Sequence, residues 1–141
     1  MTTNSAITTP VPASVTSEAL IAALHDHQLY FKIVDTELIE AKLVSGDPTK
    51  LGDKCTYAVK SKQHTSDYTL TNLSDGVDAE ASIKSPVGAL VVKMKWRVSE
   101  GKLNEDIEIE ANFVMRKMSK GPTEKNSKEA HLRFIEEVSK V

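Results

Sequence analysis

The first clear hydrophobic period along the chain is that of a helix. From Val15 to His27 the apolar side chains recur every three or four positions, which is the spacing of a helix with one buried face. Ser14 or Thr16 can cap the first turn with a hydroxyl oxygen. The pattern therefore predicts a helix that stops near His27, with a second short helical turn over residues 29–33 compatible with the same spacing.

The residues before this helix predict a strand at the edge of a sheet. Residues 6–11 are rich in β-formers, and Pro10 and Pro12 cannot donate backbone hydrogen bonds, which confines such a strand to an edge. An exposed edge leaves homodimerisation through this strand open. Residues 1–5 are polar, and we expect them to be flexible.

From residue 36 onward the hydrophobic period changes to two, the period of half-buried strands. Turn residues such as Gly46, Asp75 and Gly101 interrupt this pattern at short intervals. Short turns join antiparallel neighbours, so the pattern predicts a meander. The predicted strands are 36–46, 55–62, 66–74, 77–84, 89–101 and 102–118. On the first of them Ile39 lies on the same side as Ala41, which is expected to face inward.

The last two predicted strands show the alternation most clearly. The inward rows are Leu90, Val92, Met94, Trp96 and Val98 on one strand and Ile107, Ile109, Ala111, Phe113 and Met115 on the next. The outward rows carry Lys93, Lys95 and Arg97 opposite Glu108 and Glu110. Opposite charges across a strand pair stabilise it modestly, so these rows are interpreted as a solvated outer face.

A second helix is predicted at the end of the chain. Gly121 and Pro122 are expected to separate it from the last strand. Its apolar stripe consists of Ala130, His131, Phe134, Ile135 and Val138, with charged residues opposite. A helix with one apolar stripe is the natural cover for a sheet with one apolar face.

Together the elements predict an α+β fold in which a curved antiparallel sheet of about six or seven strands wraps around a long C-terminal helix. The whole chain, residues 1–141, is expected to form one domain. Small inward residues, among them Ala41, Ala79 and Ala81, leave space between the sheet and the helix. That space is interpreted as a ligand cavity, and the alternative is that the same alanines make room for a closely packed helix.

Composition limits the classes of function. The net charge is −2, from 18 basic and 20 acidic residues, so the basic excess typical of nucleic-acid-binding proteins is absent. The single cysteine, Cys55, fits a reducing compartment. The sequence shows no segment long and apolar enough to span a membrane and no secretory signal, and therefore predicts a soluble cytoplasmic protein.

The order of elements resembles the helix-grip fold of the START-like or Bet v 1-like superfamily, also called SRPBCC. The resemblance rests on the early helix, on the segment LHDHQLYFKIVDTELIEAKLVSGDPTKLGDKCTYAV, and on the helix HLRFIEEVSKV, and it spans residues 7–141. The superfamily includes polyketide cyclases, lipid carriers and plant hormone receptors. More narrowly, the chain resembles small fungal members associated with secondary metabolism, such as cyclases that close a polyketide into an α-pyrone.

The resemblance directs attention to the titratable stretch at the end of the first helix. His25, Asp26 and His27 are the candidate catalytic residues, because burial moves the pKa of a carboxylate and of a histidine towards neutrality. The alternative is that these residues are solvated or capping groups at a helix end. The spacing of the histidines predicts no metal site, since i and i+2 lie on different sides of a helix.

The candidate substrate-binding residues come mainly from the predicted inward rows. Tyr57 and Trp96 carry polar groups that could orient a substrate oxygen, and as core residues they need no such role. Arg116 lies on the outward row unless a bulge near Asn112 turns it inward to hold a carboxylate or enolate. The other candidates are Tyr30, Met94, Phe113 and His131.

The leading functional hypothesis is a cofactor-independent cyclase that folds a polyketide-like substrate and assists lactone or pyrone closure by acid–base catalysis. The alternative is a non-catalytic carrier or receptor for a hydrophobic ligand. A third hypothesis is an interaction module with a filled core.

Overall fold

The computed structural model describes residues 1–86 and 88–140, and within them it shows one antiparallel sheet and three helices. The strands lie in the order β1-β7-β6-β5-β4-β3-β2, so the sheet is a meander with β1 and β2 at its edges. The predicted α+β helix-grip architecture is confirmed. In chain order the elements are β1 (Thr2–Pro10), α1 (Ser17–His25), α2 (His27–Val34), β2 (Leu38–Ser45), β3 (Lys54–Ser61), β4 (Thr65–Leu73), β5 (Gly76–Ser85), β6 (Gly88–Ser99), β7 (Lys102–Glu110) and α3 (Phe113–Ser139).

Capping side chains define the first two helices. Thr16 caps α1 by accepting a hydrogen bond from the backbone N–H of Ala19 at 3.1 Å. Asp26 ends α1 and caps α2, because its carboxylate accepts from the N–H of Leu29 at 3.3 Å. The short second turn expected after His27 is thus a separate helix of two turns.

The helices cover one face of the sheet. The long helix α3 packs against β1 and β7 and against α1 and α2, while α1 also contacts β5 and β6. The predicted inward rows of β3, β5 and β6 are confirmed over most of their length. Their buried members are Cys55, Tyr57, Val59, Val77, Ala79, Ala81, Val92, Met94, Trp96 and Val98.

The outer face carries the predicted ladder of opposite charges. Lys93 on β6 lies 3.4 Å from Glu110 and 3.8 Å from Glu108 on β7, and 4.0 Å from Glu80 on β5. Arg97 pairs with Asp78 at 2.8 Å. These side chains are about a third or more exposed, so each pair contributes modestly to stability, within about 1 kcal/mol.

The end of the last strand differs from the prediction. The strand β7 stops at Glu110, and α3 starts at Phe113, with Asn112 as its cap at 2.9 Å from the N–H of Met115. Phe113 is therefore 67% exposed instead of lying on an inward row. Four good helix formers, residues 115–118, follow closely after the cap. The helix α3 continues through Pro122, which was expected to precede it.

Two further predictions near the sheet edges are corrected. Residues 2–5, expected to be flexible, belong to β1 and pair with β7. Ile39 was expected to point inward, but it is 59% exposed because the pairing of β2 with β3 shifts between Leu38 and Glu40. A bulge adds one residue and thereby changes the phase that strict alternation predicts.

Gly76, at the start of β5, gives a stability prediction. A Cβ atom there would lie 1.8 Å from the carbonyl oxygen of Trp96, so we expect Gly76→Ala to lower the free energy of unfolding by more than about 2 kcal/mol. Gly121→Ala is the matched control. A Cβ at Gly121, inside α3, meets nothing within 4 Å, so this variant should gain about 0.5–1 kcal/mol. Urea unfolding of both variants measures the difference, and equal stabilities would contradict this packing.

Candidate functional site

Seven buried rings fill the centre of the space between the sheet and the helices. Neighbouring ring centroids lie 4.9–6.0 Å apart, which is the contact distance of packed aromatic side chains. The centre of the space that the sequence predicts to be hollow is therefore filled by these rings. The rings belong to Tyr30, Phe31, Tyr57, Tyr68, Trp96, Phe134 and His131, and we call them the aromatic cluster.

Three hydrogen-bonding groups meet inside the aromatic cluster. The hydroxyls of Tyr30 and Tyr68 lie 3.1 Å apart, and Tyr68 also donates weakly to the sulfur of Met94 at 3.9 Å. Burial raises the pKa of both phenols, so both are protonated at neutral pH and can donate. The indole N–H of Trp96 is buried and has no hydrogen-bond partner in the described residues.

This unpaired indole is energetically unusual. A buried donor without an acceptor costs about 1–3 kcal/mol, and native proteins rarely retain one without a reason. The N–H lies close enough to Tyr30 to oppose, weakly, the rise in the pKa of that phenol, but it lacks the geometry of a hydrogen bond. A ligand or water oxygen placed here would satisfy it.

A second buried polar group joins α3 to the sheet. The Nε2 atom of His131 lies 2.9 Å from a carboxylate oxygen of Glu105, and both side chains are fully buried. The other nitrogen of His131 lies 2.8 Å from the hydroxyl of Thr9 on β1, and Ser127 donates to Glu105 at 3.4 Å. Burial raises the pKa of Glu105, and His131 partly opposes that rise.

The sequence interpretation missed Glu105, although the alternation along β7 indicated that this carboxylate is buried. Glu105 is in phase with Leu103, Ile107 and Ile109 along β7, so strict alternation places a carboxylate on the buried face. A single charge in an otherwise apolar row indicates a buried partner. His131, in the apolar stripe of α3, is that partner.

A third buried chain of hydrogen bonds contains His27. The amide of Asn72 donates to the carbonyl oxygen of Pro48 at 3.0 Å, which leaves its oxygen facing His27. The Nε2–H of His27 therefore donates to Asn72 at 2.8 Å, and its Nδ1 accepts from the hydroxyl of Tyr57 at 2.6 Å. Because the carbonyl oxygen of Pro48 can only accept, the donor and the acceptor of each hydrogen bond in this chain are fixed.

Burial also adjusts the acidity of this pair. It lowers the pKa of His27 and raises the pKa of Tyr57 to about 12. Both side chains are therefore neutral at pH 7, with a histidine nitrogen positioned to take the phenol proton. A neutral histidine that accepts a hydrogen bond from a hydroxyl can act as a general base through that hydroxyl.

His25, Asp26 and Arg116 form no hydrogen bond with this pair among the described residues. His25 lies 2.9 Å from the carbonyl oxygens of Leu73 and Gly76, so it fixes α1 to the turn between β4 and β5. Asp26 is an exposed cap. Arg116 lies on α3 rather than on a strand, where it donates to the carbonyl oxygen of Thr2 at 3.4 Å.

Arg116 and Phe113 therefore do not join the other candidates. The guanidinium of Arg116 lies 5.8 Å from the ring centroid of Phe113, at the first turn of α3. Tyr30, Met94, Trp96 and His131 do meet in or beside the aromatic cluster. Within residues 1–86 and 88–140, no three histidine, cysteine or carboxylate side chains are grouped so that they could hold a metal ion.

The outer face of the sheet also contains a concavity, of about 880 Å³. It is lined by polar side chains of six strands, including Lys54, Thr71, Asp78, Lys95 and Asp106. It lies on the face of the sheet opposite the aromatic cluster. Its mixed charges fit a solvated surface.

Solved structures share this fold at low sequence identity. The chain aligns with Ara h 8.0201 at a TM-score of 0.56 and 15% identity, over 96% of this chain and 98% of that one. A conserved protein from Geobacillus kaustophilus gives 0.63 and 11% identity, over 99% and 96%. The di-domain ARO/CYC StfQ from the steffimycin biosynthetic pathway gives 0.63 and 9% identity, over 99% of this chain and 51% of that one.

These similarities establish a helix-grip fold of the Bet v 1-like type.

No family model matches the sequence, and the curated proteins compared with it show no match. None of the helices in the described residues combines the length and the apolar character needed to cross a membrane.

The lowered pKa of His27 predicts how stability depends on pH. Below the ordinary value of 6.5 the folded chain binds fewer protons than the unfolded chain, so stability falls as the pH drops through that value. Removing the imidazole removes this dependence. The stability advantage of the parent protein over His27→Gln should therefore be full near about pH 7.5 and shrink towards about pH 5.

Urea unfolding across this pH range tests the prediction. His64→Gln, which replaces an exposed histidine, is the matched control for the loss of a histidine. A constant difference between the parent and His27→Gln at all pH values would contradict the assigned neutral state.

Proposed function

We propose that this protein binds a small, mostly apolar molecule that carries an oxygen acceptor, between the sheet and α3. The observation that carries the proposal is the unpaired, buried N–H of Trp96 beside the protonated hydroxyls of Tyr30 and Tyr68. Donors that converge in an apolar interior match a carbonyl or enol oxygen on a hydrophobic ligand. The ligand enters as the rings of the aromatic cluster move apart.

The route of entry follows from uneven burial of the inner face. Leu38, Ile83 and Leu90 are only half-buried, although they occupy the inner side of β2, β5 and β6. The helix α3 packs chiefly on β1 and β7, which lie at the edge of the sheet opposite β2. The apolar rim formed by Leu38, Ile83 and Leu90 is the proposed entrance, and Tyr68 lies one residue pair further in on the same face.

The finer proposal is ring closure of a polyketide-like substrate without a cofactor. In a 3,5-dioxo thioester the enol oxygen at carbon 5 attacks carbon 1, and the carbon–sulfur bond breaks to give an α-pyrone and a thiol. His27 takes the enol proton through the hydroxyl of Tyr57 and returns it to the departing sulfur. The described role of StfQ as an ARO/CYC protein supports this chemistry by analogy of fold alone.

A carrier is the second candidate, and one observation favours it. Both nitrogens of His27 are already bonded inside the protein, to Tyr57 and Asn72, and Asp26 and His25 serve as a cap and a backbone anchor. A protein that only holds its ligand needs no free base. Catalysis requires the substrate to reach the hydroxyl of Tyr57, whereas transport does not.

Ligand binding can be followed through Trp96, which is the only tryptophan in the chain. We expect 2-undecanone to change the emission of Trp96, and Tyr68→Phe to weaken its binding about 5–15-fold by removing one donor hydroxyl. Undecane, which lacks the oxygen, should bind the parent and the variant alike.

Thr69→Val is the matched control, because Thr69 is on the same strand as Tyr68 and faces outward. Its affinity for 2-undecanone should equal that of the parent. If neither compound changes the emission of Trp96, and native mass spectrometry shows no bound ketone, the binding proposal fails.

Ring closure is tested separately with the N-acetylcysteamine thioester of a 3,5-dioxo acid. Pyrone formation, followed by ultraviolet absorbance, should fall about 10²-fold or more in both Tyr57→Phe and His27→Gln. Asp26→Asn keeps a capping side chain and should retain the parent rate. Ketone binding without any acceleration of pyrone formation would leave the carrier as the function.

A further inference from the structure

The first turns of α3 expose an unusual group of apolar side chains. Phe113, Val114 and Met118 are 67%, 60% and 64% exposed, although they lie within six consecutive residues. Val114 and Met118 are one helical turn apart and therefore share a face. Large apolar side chains concentrated on one exposed surface indicate an interaction site.

The charged side chains that accompany this group are mostly basic. Up to Lys128 the exposed ones are Lys117, Lys125 and Lys128, and the exposed Glu129 that follows pairs with Arg133 at 3.8 Å. The acidic residue in this part of α3, Glu124, is half-buried and bonded to Ser5 and Lys120. The protein as a whole has a net charge of −2, so this half of the helix reverses the overall sign.

The segment packs beside a part of the sheet whose inner side chains are only half-buried. A Cβ atom on Gly88, at the turn between β5 and β6, would lie 2.8 Å from Asn112 and 4.0 Å from Met115. The start of α3 therefore packs against this turn, beside half-buried Ile83 and Leu90. Between residues 113 and 126 only Met115 is fully buried, so the segment is held to the protein by few apolar contacts.

We propose that Phe113, Val114 and Met118, with Lys117, Lys125 and Lys128, form a surface that docks on an anionic lipid bilayer. We call these six residues the α3 patch. A helix face with apolar side chains inserted at the headgroup level and lysines above the phosphates is the usual composition of an interfacial helix. The Phe113 ring, which protrudes at the first turn, would enter the apolar layer first.

Docking through the α3 patch would place the entrance at Leu38, Ile83 and Leu90 on the side of the molecule that faces the bilayer. An apolar ligand could then pass between lipid and protein with little exposure to water. The proposal does not depend on that ligand, because vesicle binding is measured on the protein alone. Failure of ligand binding and failure of docking are therefore distinguishable.

Sedimentation with vesicles tests the docking. We expect the protein to bind vesicles of phosphatidylcholine with about one third phosphatidylserine, to bind pure phosphatidylcholine at least about tenfold more weakly, and to be released by high salt. The triple variant Phe113→Ser, Val114→Ser, Met118→Ser should reduce binding to the anionic vesicles at least about tenfold. Leu51→Ser, at a site 59% exposed elsewhere, should not.

Charge reversal supplies the second arm. Lys117→Glu, Lys125→Glu and Lys128→Glu together should abolish binding, at about fivefold or more for each lysine. The control reverses Lys42, Lys50 and Lys60, which are also exposed, and has the same net charge. Equal loss in the two charge variants, or no loss in the serine variant, would overturn the assignment to the α3 patch. No binding to either vesicle would overturn the proposal and leave an acidic protein as the partner of this face.

Discussion

The arrangement of this protein depends on the buried contact between His131 and Glu105. Apart from His131 and Ser127, the buried side chains of α3 are apolar. Apolar contacts alone do not specify a single position of the helix. The 2.9 Å contact, with Thr9 on the second histidine nitrogen, fixes both the rotation of α3 and its height along the sheet. Its net effect on stability is small, because desolvation of the carboxylate offsets much of the attraction. Its effect on geometry is large, since any shift of the helix would leave a buried polar group unpaired.

This contact also explains where the helix is firm and where it is not. The buried residues of α3 from Ser127 to Ile135 cluster around His131, whereas the first fourteen residues have only Met115 buried. Pro122 lies between the two parts and lacks the N–H that would continue the backbone ladder. The helix is therefore anchored at one end and lightly held at the other, and the lightly held end is the one that exposes Phe113 and Met118.

The sequence predicted the parts of this architecture that depend on periodicity. The inward row that contains Trp96 was identified because a regular antiparallel strand keeps its alternation. The cap of α1 at Thr16 and the end of that helix near His27 were identified because they depend on local chemistry. Phe113 and Ile39 were misplaced for different reasons. At Phe113 the apolar residues satisfy a strand period and a helix period equally, and the Asn112 cap decides. At Ile39 an extra residue in β2 reverses the phase, which no local pattern reveals.

The candidate site was only partly predictable, because hydrogen-bond networks join residues that are distant in sequence. His27 and Tyr57 were each identified as candidates, but their pairing depends on Asn72 and Pro48, which belong to another strand and a turn. The neutral, oriented state of His27 is therefore due chiefly to burial and to Asn72, while its neighbours His25 and Asp26 have smaller and opposite effects on its pKa. The same holds for Trp96, whose unpaired N–H results from packing against Tyr30 and His131. Within the described residues, the close-packed core keeps the N–H of Trp96 without an acceptor, which costs about 1–3 kcal/mol. The burial of α3 is thus concentrated around His131, and the entry route proposed for a ligand lies beside the less buried first turns of the same helix.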